Sequence, residues 1–231
     1  MEDANSHCRW NSIFTLSALW LLFCAVIPIA TARKIAAAQS SGEPRLTYTR
    51  VLKGSEPEYI AITVGRDGDA TYDGRKIDDP PRPRDFRISP ATVEKLFALA
   101  AQLNNFQNVD LESHKNVANL GEKTFTYQSG GQTYSAKFNY SLLRQARDLA
   151  DLFEKISTVE EHLEILQYAI KYDHLSLPNE LLRIQIALRN DAIVEPELLV
   201  PILKEIEGNP RFLHLAKVRA QNILAQVQSA N

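Results

Sequence analysis

The sequence predicts an α+β fold. An antiparallel sheet of two hairpins plus an edge strand carries helices on one face, and a C-terminal bundle of about four short helices follows. Three observations predict this fold. Alternating apolar and polar residues flank a diglycine at residues 130–131. An amphipathic helical pattern comes directly after that hairpin. Beyond residue 156 the apolar pattern is helical, with proline and glycine between the segments.

Two strand regions open the predicted sheet. Residues 45–53 alternate apolar and polar side chains and are predicted to form the strand outside the hairpins. Residues 59–74 are predicted to form the first hairpin. A three-residue loop that ends with a left-handed Gly68 pairs Ile62 with Tyr72 and keeps one face apolar. A two-residue turn would instead place an aspartate opposite Ile62, so the three-residue loop is the predicted connection.

A helix is predicted after the proline-rich exposed loop 76–83. Ser89 fits its N-cap, because a serine oxygen accepts a hydrogen bond from a free backbone N–H, and Pro90 fits its first turn. Phe106 is predicted to return to the core after this helix, and residues 108–121 to form a polar connection. The predicted apolar stripe consists of Val93, Leu96, Phe97, Ala100 and Leu103.

The second hairpin turns at residues 130–131. A type I′ turn needs positive φ at both central residues, which glycine adopts without steric cost. This turn pairs Phe125 with Ala136 and Tyr127 with Tyr134. Because side chains alternate between faces, one face is apolar and the other polar, as in a sheet covered on one side. The apolar face holds Phe125, Tyr127, Tyr134, Ala136 and Phe138, and the polar face Thr124, Thr126, Gln128, Thr133, Ser135, Lys137 and Asn139.

A helix that ends near Ile156 is predicted to cover this apolar face. Ser141 is its predicted N-cap. Its charged residues, with possible pairs between Arg147 and Asp151 and between Asp151 and Lys155, are predicted to form a solvated face. Its predicted buried stripe consists of Leu142, Ala146, Leu149, Phe153 and Ile156.

Four short helices are predicted after residue 156, arranged as two antiparallel hairpins. Two overlapping capping boxes, Ser157/Glu160 and Thr158/Glu161, predict a new helix start. That helix is predicted to end near residues 172–173. The later helices are predicted to begin at Pro178, Pro196 and Pro210, with a kink at Pro201 and a stop at Gly208. The predicted organisation is therefore an α+β sheet domain at 39–156 and a helical tail at 157–231.

Residues 1–38 are predicted to be a signal peptide. The stretch 13–32 is almost entirely apolar or small, and Ala32 or Ala38 satisfies the small-residue rule for cleavage. Cleavage at either site removes both cysteines, Cys8 and Cys24, and leaves a chain without disulfides. The predicted location is the periplasm or the exterior of the cell.

An uncleaved membrane anchor through residues 13–32 is the alternative. About 20 apolar residues are enough to span a bilayer. Arg33 and Lys34 follow the apolar stretch, and positive residues favour the cytoplasmic side. Contact with a membrane is predicted only through this stretch.

Composition argues against a nucleic-acid partner. The chain has 26 basic and 28 acidic residues, so it lacks the basic excess that phosphate binding requires. The sequence contains no Walker loop, no Gly-x-Gly-x-x-Gly and no Gly-x-Ser-x-Gly elbow. We therefore predict no catalytic residue, no cofactor-binding residue and no metal ligand.

Several short segments resemble a known type of domain. They are Gly68–Gly74, the helix start at Ser89, Phe106, and the strand from Gly131 to Tyr140. Together they resemble small secreted bacterial α+β domains of unknown function, over about residues 45–156. The tail from Glu195 to Val227 is similar to HEAT-type helical pairs. The resemblance implies a bacterial envelope setting and transfers no catalytic residue.

Candidate binding residues all have ordinary structural explanations. An EF-hand loop is excluded because its fifth and sixth positions are Thr71 and Tyr72. The aspartates next to glycine fit turns, and the scattered histidines lack zinc-ligand spacing. The sequon at Asn139 is treated as chance. The acidic residues are Asp67, Asp69, Asp73, Asp78 and Asp79, and the histidines are His114, His162, His174 and His214. The aromatic residues Tyr48, Tyr59, Tyr72, Phe125, Tyr127, Tyr134 and Phe138 are predicted to be mostly core rather than a recognition platform.

The leading functional hypothesis is an exported non-enzymatic module that binds another envelope protein. One alternative is a hydrolase whose acid/base groups come from separate loops, for instance Asp78 and Asp79 with His114. A second alternative is a membrane-anchored scaffold that keeps residues 13–32.

Overall fold

The computed structural model describes residues 42–229, so the predicted signal peptide or anchor lies outside the described residues. The strands are β1 Arg45–Val51, β2 Tyr59–Gly65, β3 Asp69–Arg75, β4 Arg84–Arg87, β5 Glu122–Ser129 and β6 Gln132–Phe138. The helices are α1 Pro90–Gln102, α2 Arg144–Tyr172, α3 Leu177–Arg189, α4 Val200–Gly208 and α5 His214–Ser229. Short 3₁₀ turns occupy Asn104–Phe106 and Pro196–Leu199. An antiparallel sheet followed by a helical region confirms the predicted α+β fold.

Both hairpins have the predicted register. The glycines at 130–131 have φ angles of 57° and 81°, and β5 and β6 pair as the diglycine turn requires. In the first hairpin, Gly68 has a φ of 87° and Ile62 lies opposite Tyr72. Turn chemistry therefore fixes the strand pairing in both hairpins.

The first strand lies at the centre of the sheet, not at its edge. The strand order is β4-β3-β2-β1-β5-β6, so β1 joins the two hairpins. Leu46 and Tyr48 are fully buried on its inner side. The edge beside β3 is formed by β4, a four-residue strand absent from the sequence prediction. The alternation of apolar and polar residues that predicted β1 is the same in central and edge strands. The sequence pattern therefore did not give the position of β1 in the sheet.

Aromatic rings fill the space between the sheet and the helices. Phe125 lies 5.2 Å from both Phe106 and Phe138 between ring centroids, and Tyr48 stacks on Phe153 at 5.1 Å. All five side chains are at most 3% exposed. Phe106 thus returns to the core as predicted, and the Ser89 oxygen caps α1 by accepting from Thr92 N–H as predicted. This cluster joins the inner face of the sheet to α1 and the first half of α2.

Helix α2 runs without a break through the predicted helix boundary. It spans 29 residues, so the capping boxes at 157–161 do not start a new helix. Ser157 Oγ donates to Glu161 Oε1 at 2.7 Å, and Thr158 Oγ1 donates back to the Glu154 carbonyl at 2.9 Å. Both contacts belong to a helix interior. Continuous burial on both sides of the boundary outweighs the local capping pattern.

The start of α2 also differs slightly from the prediction. The helix begins at Arg144 with Leu143 as its N-cap, so the prediction of Ser141 as N-cap is wrong; Ser141 accepts from Leu143 N–H just ahead of the helix. Leu142 is therefore outside the helix and 52% exposed, whereas the other predicted stripe residues are buried.

The second half of α2 packs with α3, α4 and α5 around a separate apolar cluster. On α2, Ile156 belongs to the sheet-region cluster and Val159 to the helical cluster. The two clusters therefore meet where the sequence predicts a domain boundary, but the helix itself is continuous there. A buried carboxylate links the helical region back to the sheet region. Glu195 accepts from the Ser89 backbone N–H at 3.0 Å and from the Thr92 hydroxyl at the N-terminus of α1.

Candidate functional site

Asp67 and Asp73, two of the acidic residues singled out in the sequence, take structural roles. Asp67 Oδ1 accepts from Asp69 N–H at 3.1 Å within the β2–β3 turn. Asp73 pairs with Arg75 at 3.0 Å, whereas Asp78 is exposed in the loop after β3. Among residues 42–229, no three His, Cys, Asp or Glu side chains are grouped so that they could hold a metal ion.

His114, the histidine of the hydrolase hypothesis, pairs with Asp110 and not with Asp78 or Asp79. His114 Nε2 lies 2.7 Å from Asp110 Oδ2, and both side chains are exposed. That hydrogen bond raises the pKa of His114 and lowers the pKa of Asp110. Asp78 and Asp79 are exposed and make no hydrogen bond to this histidine.

Two of the three remaining histidines, His162 and His174, have hydrogen-bond partners of their own. His162 Nδ1 lies 2.5 Å from Glu180 Oε1, and the Glu180 side chain is only 2% exposed. His174 Nε2 lies 2.6 Å from the Ile170 carbonyl oxygen, and His214 is exposed at the start of α5. The His162 contact joins α2 to α3, whereas the His174 contact stays at the C-terminal end of α2, so the two do not converge on one site.

The aromatic residues do not form an exposed platform on the sheet. Four of the seven are buried: Tyr48, Tyr72, Phe125 and Phe138. Tyr127 and Tyr134 are partly buried against the same cluster, and the Arg75 guanidinium lies 4.4 Å from the Tyr59 ring centroid.

A cavity of about 560 Å³ opens between the end of β3 and the second half of α2. One wall is formed by β3, the loop at 76–83 and Arg84 of β4, and the other by α2. Its lining is Glu56, Pro57, Tyr72, Gly74, Arg75, Lys76, Asp79, Arg82, Arg84, Glu161, Glu164, Ile165 and Tyr168. The cavity thus combines four cationic and four acidic side chains with an apolar portion.

The floor of this cavity is a buried tyrosine. Tyr72 is 1% exposed, and a Cβ atom on Gly74 would lie 2.2 Å from its hydroxyl oxygen. Because Gly74 has no Cβ atom, the Tyr72 phenol group can occupy this space. Burial raises the pKa of Tyr72, and a hydrogen bond with Ser157 opposes that shift only in part. Ser157 also donates to Glu161, so the floor is fixed to the helix wall.

Arg84 is held in one orientation at the back of the cavity. Its Nη2 atom donates to the Glu160 carbonyl oxygen at 3.1 Å. The same atom lies 3.4 Å from Glu160 Oε2 and 3.5 Å from Glu164 Oε2. The guanidinium carbon lies 5.4 Å from the Tyr72 ring centroid. Its Nη1 and Nε atoms make no hydrogen bond to any residue in the described range 42–229.

Glu160 is a buried carboxylate behind Arg84. Its side chain is 2% exposed, and Oε1 has no hydrogen-bond partner among the described residues. Burial raises the pKa of Glu160, while the charge of Arg84 lowers it in part. Burial likewise raises the pKa of Glu161 in the helix wall.

The loop wall is tied down by Arg75. Its Nη1 atom donates to the carbonyl oxygens of Ile77, at 3.0 Å, and Asp79, at 2.8 Å. These contacts fix the loop that carries Lys76 and Arg82 on the rim. Both rim side chains are exposed and make no hydrogen bond or ion pair within the described part of the chain. They are therefore available to an incoming anion.

Three large apolar side chains continue from the cavity along α2, and we call them the α2 stripe. They are Ile165, Tyr168 and Tyr172, which are 41%, 60% and 63% exposed. Steps of three and four residues place them on one face of the helix. The two tyrosine rings lie 5.1 Å apart. Leu175, just beyond the helix, is 76% exposed and extends the apolar surface.

Neither the cavity nor the α2 stripe was predicted from the sequence. The cavity walls come from residues 56–84 and 161–168, which no local pattern joins. The α2 stripe is visible in the sequence as an apolar row at residues 165, 168 and 172.

Comparison with known proteins does not assign the chain to a family. No protein-family model matches the chain, and no curated protein gives a significant match. Among residues 42–229, no helix has both the length and the apolar composition needed to cross a membrane.

Proposed function

We propose that this protein is an exported, non-enzymatic module that binds another protein of the cell envelope through the α2 stripe. The observation that carries the proposal is the row of three large, exposed apolar side chains beside a cavity. Removing apolar surface from water is the main driving force of protein association. Aromatic side chains are also enriched where interfaces bind most strongly.

Export is supported by the N-terminal composition. An apolar stretch at 13–32 is followed by small residues that suit cleavage at Ala32 or Ala38. The mass of the protein isolated from its own cells tests this part of the proposal. Loss of residues 1–32 or 1–38 is the expected result, and an intact N-terminus would favour the anchored scaffold.

Crosslinking in intact cells tests the binding role. A photoreactive amino acid replaces Tyr168 in the full chain, and a matched variant carries it at Asp148. Asp148 lies on the same helix with a half-exposed side chain, but outside the α2 stripe. We expect a discrete crosslinked species from position 168 that position 148 does not give.

A second substitution tests whether the adduct depends on the stripe. Tyr172→Asp places a charge at an exposed position, so the fold is expected to persist while the adduct at 168 weakens. Equal adducts at 168 and 148, or an adduct insensitive to Tyr172→Asp, would refute the proposed docking surface.

A further inference from the structure

We infer that the cavity beside the α2 stripe receives the C-terminus of the partner chain. The terminal carboxylate faces the cationic wall formed by Arg82, Arg84 and Lys76, and an apolar terminal side chain packs against Ile165 and Tyr168. This inference rests on the proposed function and names the part of the partner that the module recognises.

The cationic wall is prepared for a carboxylate. Arg84 is fixed through Nη2 alone, which leaves its Nη1 and Nε donors for a ligand. Guanidinium groups bind carboxylates with paired hydrogen bonds, and prior orientation reduces the entropy lost on binding. Arg82 and Lys76 on the rim add positive charge that no ion pair within residues 42–229 neutralises.

The acidic residues around the cavity favour a peptide end over a phosphate group. Glu161 and Glu164 stand in the helix wall, and Glu56 and Asp79 are exposed at the rim. Four carboxylates around one cavity repel a dianion more strongly than a single negative charge. A peptide C-terminus carries one negative charge next to backbone N–H donors, and carboxylates accept from such donors. The mixed lining therefore matches both groups of a peptide end.

The apolar part of the cavity supplies the remaining contacts. Pro57, Ile165 and Tyr168 are part of the lining. The volume of about 560 Å³ lies within the range of roughly 300–1,000 Å³ that is usual for ligand pockets. Because Ile165 and Tyr168 belong to both the cavity and the α2 stripe, a bound peptide end is continuous with the proposed docking surface.

Nuclear magnetic resonance titration of the full mature chain tests this inference. The probes are acetylated tetrapeptides that end in leucine, phenylalanine or valine, each as the free acid and as the C-terminal amide. We expect the free acids, at millimolar concentration, to shift the Gly74 amide and the Arg84 Nε–H resonances. The amides have lost the charge and are expected to leave these resonances in place.

Charge-reversal variants locate the interaction. Arg82→Glu is expected to weaken binding of the free acids by about threefold to fivefold, as for an exposed ion pair. Lys204→Glu reverses an exposed charge on α4 and is the matched control, with unchanged binding expected. Since neither side chain makes a hydrogen bond or ion pair with a described residue, both variants are expected to fold.

Three results would overturn the inference. The first is equal binding of the tetrapeptide acids and amides, and the second is no shift of the Gly74 or Arg84 resonance. The third is binding of free amino acids without binding of the tetrapeptides. If the peptide titration fails but crosslinking at Tyr168 succeeds, only recognition of the partner's C-terminus is refuted. Failure of the crosslinking experiment removes the proposed function itself, so the two outcomes are separable.

Discussion

Phe138→Asp is expected to unfold the sheet region, because the hairpin register buries this ring. Phe138 is 3% exposed and lies 5.2 Å from Phe125 between ring centroids. Removing a buried phenyl group costs about 3–5 kcal/mol. An unpaired carboxylate in the same place costs several kcal/mol more. The total approaches or exceeds the whole stability of a typical domain, about 5–15 kcal/mol.

Lys137→Asp is the matched control one residue away. Lys137 points to the open face and pairs with Glu122 at 2.8 Å, with side chains 61% and 56% exposed. Loss of such an exposed pair costs about 0–1 kcal/mol. Each kcal/mol lowers the melting temperature by roughly 2–4 °C in a chain of this size. Thermal melts followed by circular dichroism measure both variants. Equal melting temperatures would refute the assignment of the two side chains to opposite faces.

Three further substitutions and one control, Gly208→Ala, probe the cavity and the link between the regions. Burial raises the folded-state pKa of Glu160, so its contribution to stability is present below the unfolded pKa, near 4.5, and is lost as pH rises through the folded value. Glu160→Gln is therefore expected to flatten the fall of melting temperature with pH above 4.5, and an unchanged pH profile would contradict this. Gly74→Ala places a methyl group 2.2 Å from the Tyr72 hydroxyl and is expected to cost about 1–3 kcal/mol in chemical denaturation. Gly208→Ala, with no atom within 4 Å, is expected to be silent in the same assay. Glu195→Ala leaves a part-buried N–H at the start of α1 without its acceptor and is expected to cost about 1–3 kcal/mol. Hydrogen exchange in the first turn of α1 measures that loss, and unchanged exchange would show that water replaces the carboxylate.

The hairpins were predictable because their geometry is local. A diglycine at residues 130–131 and a left-handed Gly68 each fix a turn, and the turn fixes every pair in its hairpin. The cap at Ser89 was predictable for the same reason, since the acceptor and its donor are three residues apart. These features depend on residues that are close together in the sequence, so they could be predicted from it.

The remaining features depend on contacts between distant segments. The capping pattern at 157–161 predicts a helix start, but packing on both sides makes α2 continuous. The strand β4 has four residues, three of them charged, and it exists because β3 offers a free edge. The cavity was not predictable, since Arg84 and Glu160 meet across 76 residues of chain. In each case tertiary context decides between local alternatives.

Because α2 is continuous, the number of residues between its two buried segments is constrained. The helix contacts the sheet cluster through Ile156 and the helical cluster through Val159, with no loop between them. Inserting one residue at this point would turn everything beyond it by about 100° and advance it by about 1.5 Å. The buried stripe of the second half would then face solvent. Natural variants of this chain are therefore expected to exchange residues freely along the outer face of α2, but to keep the spacing between its two buried segments.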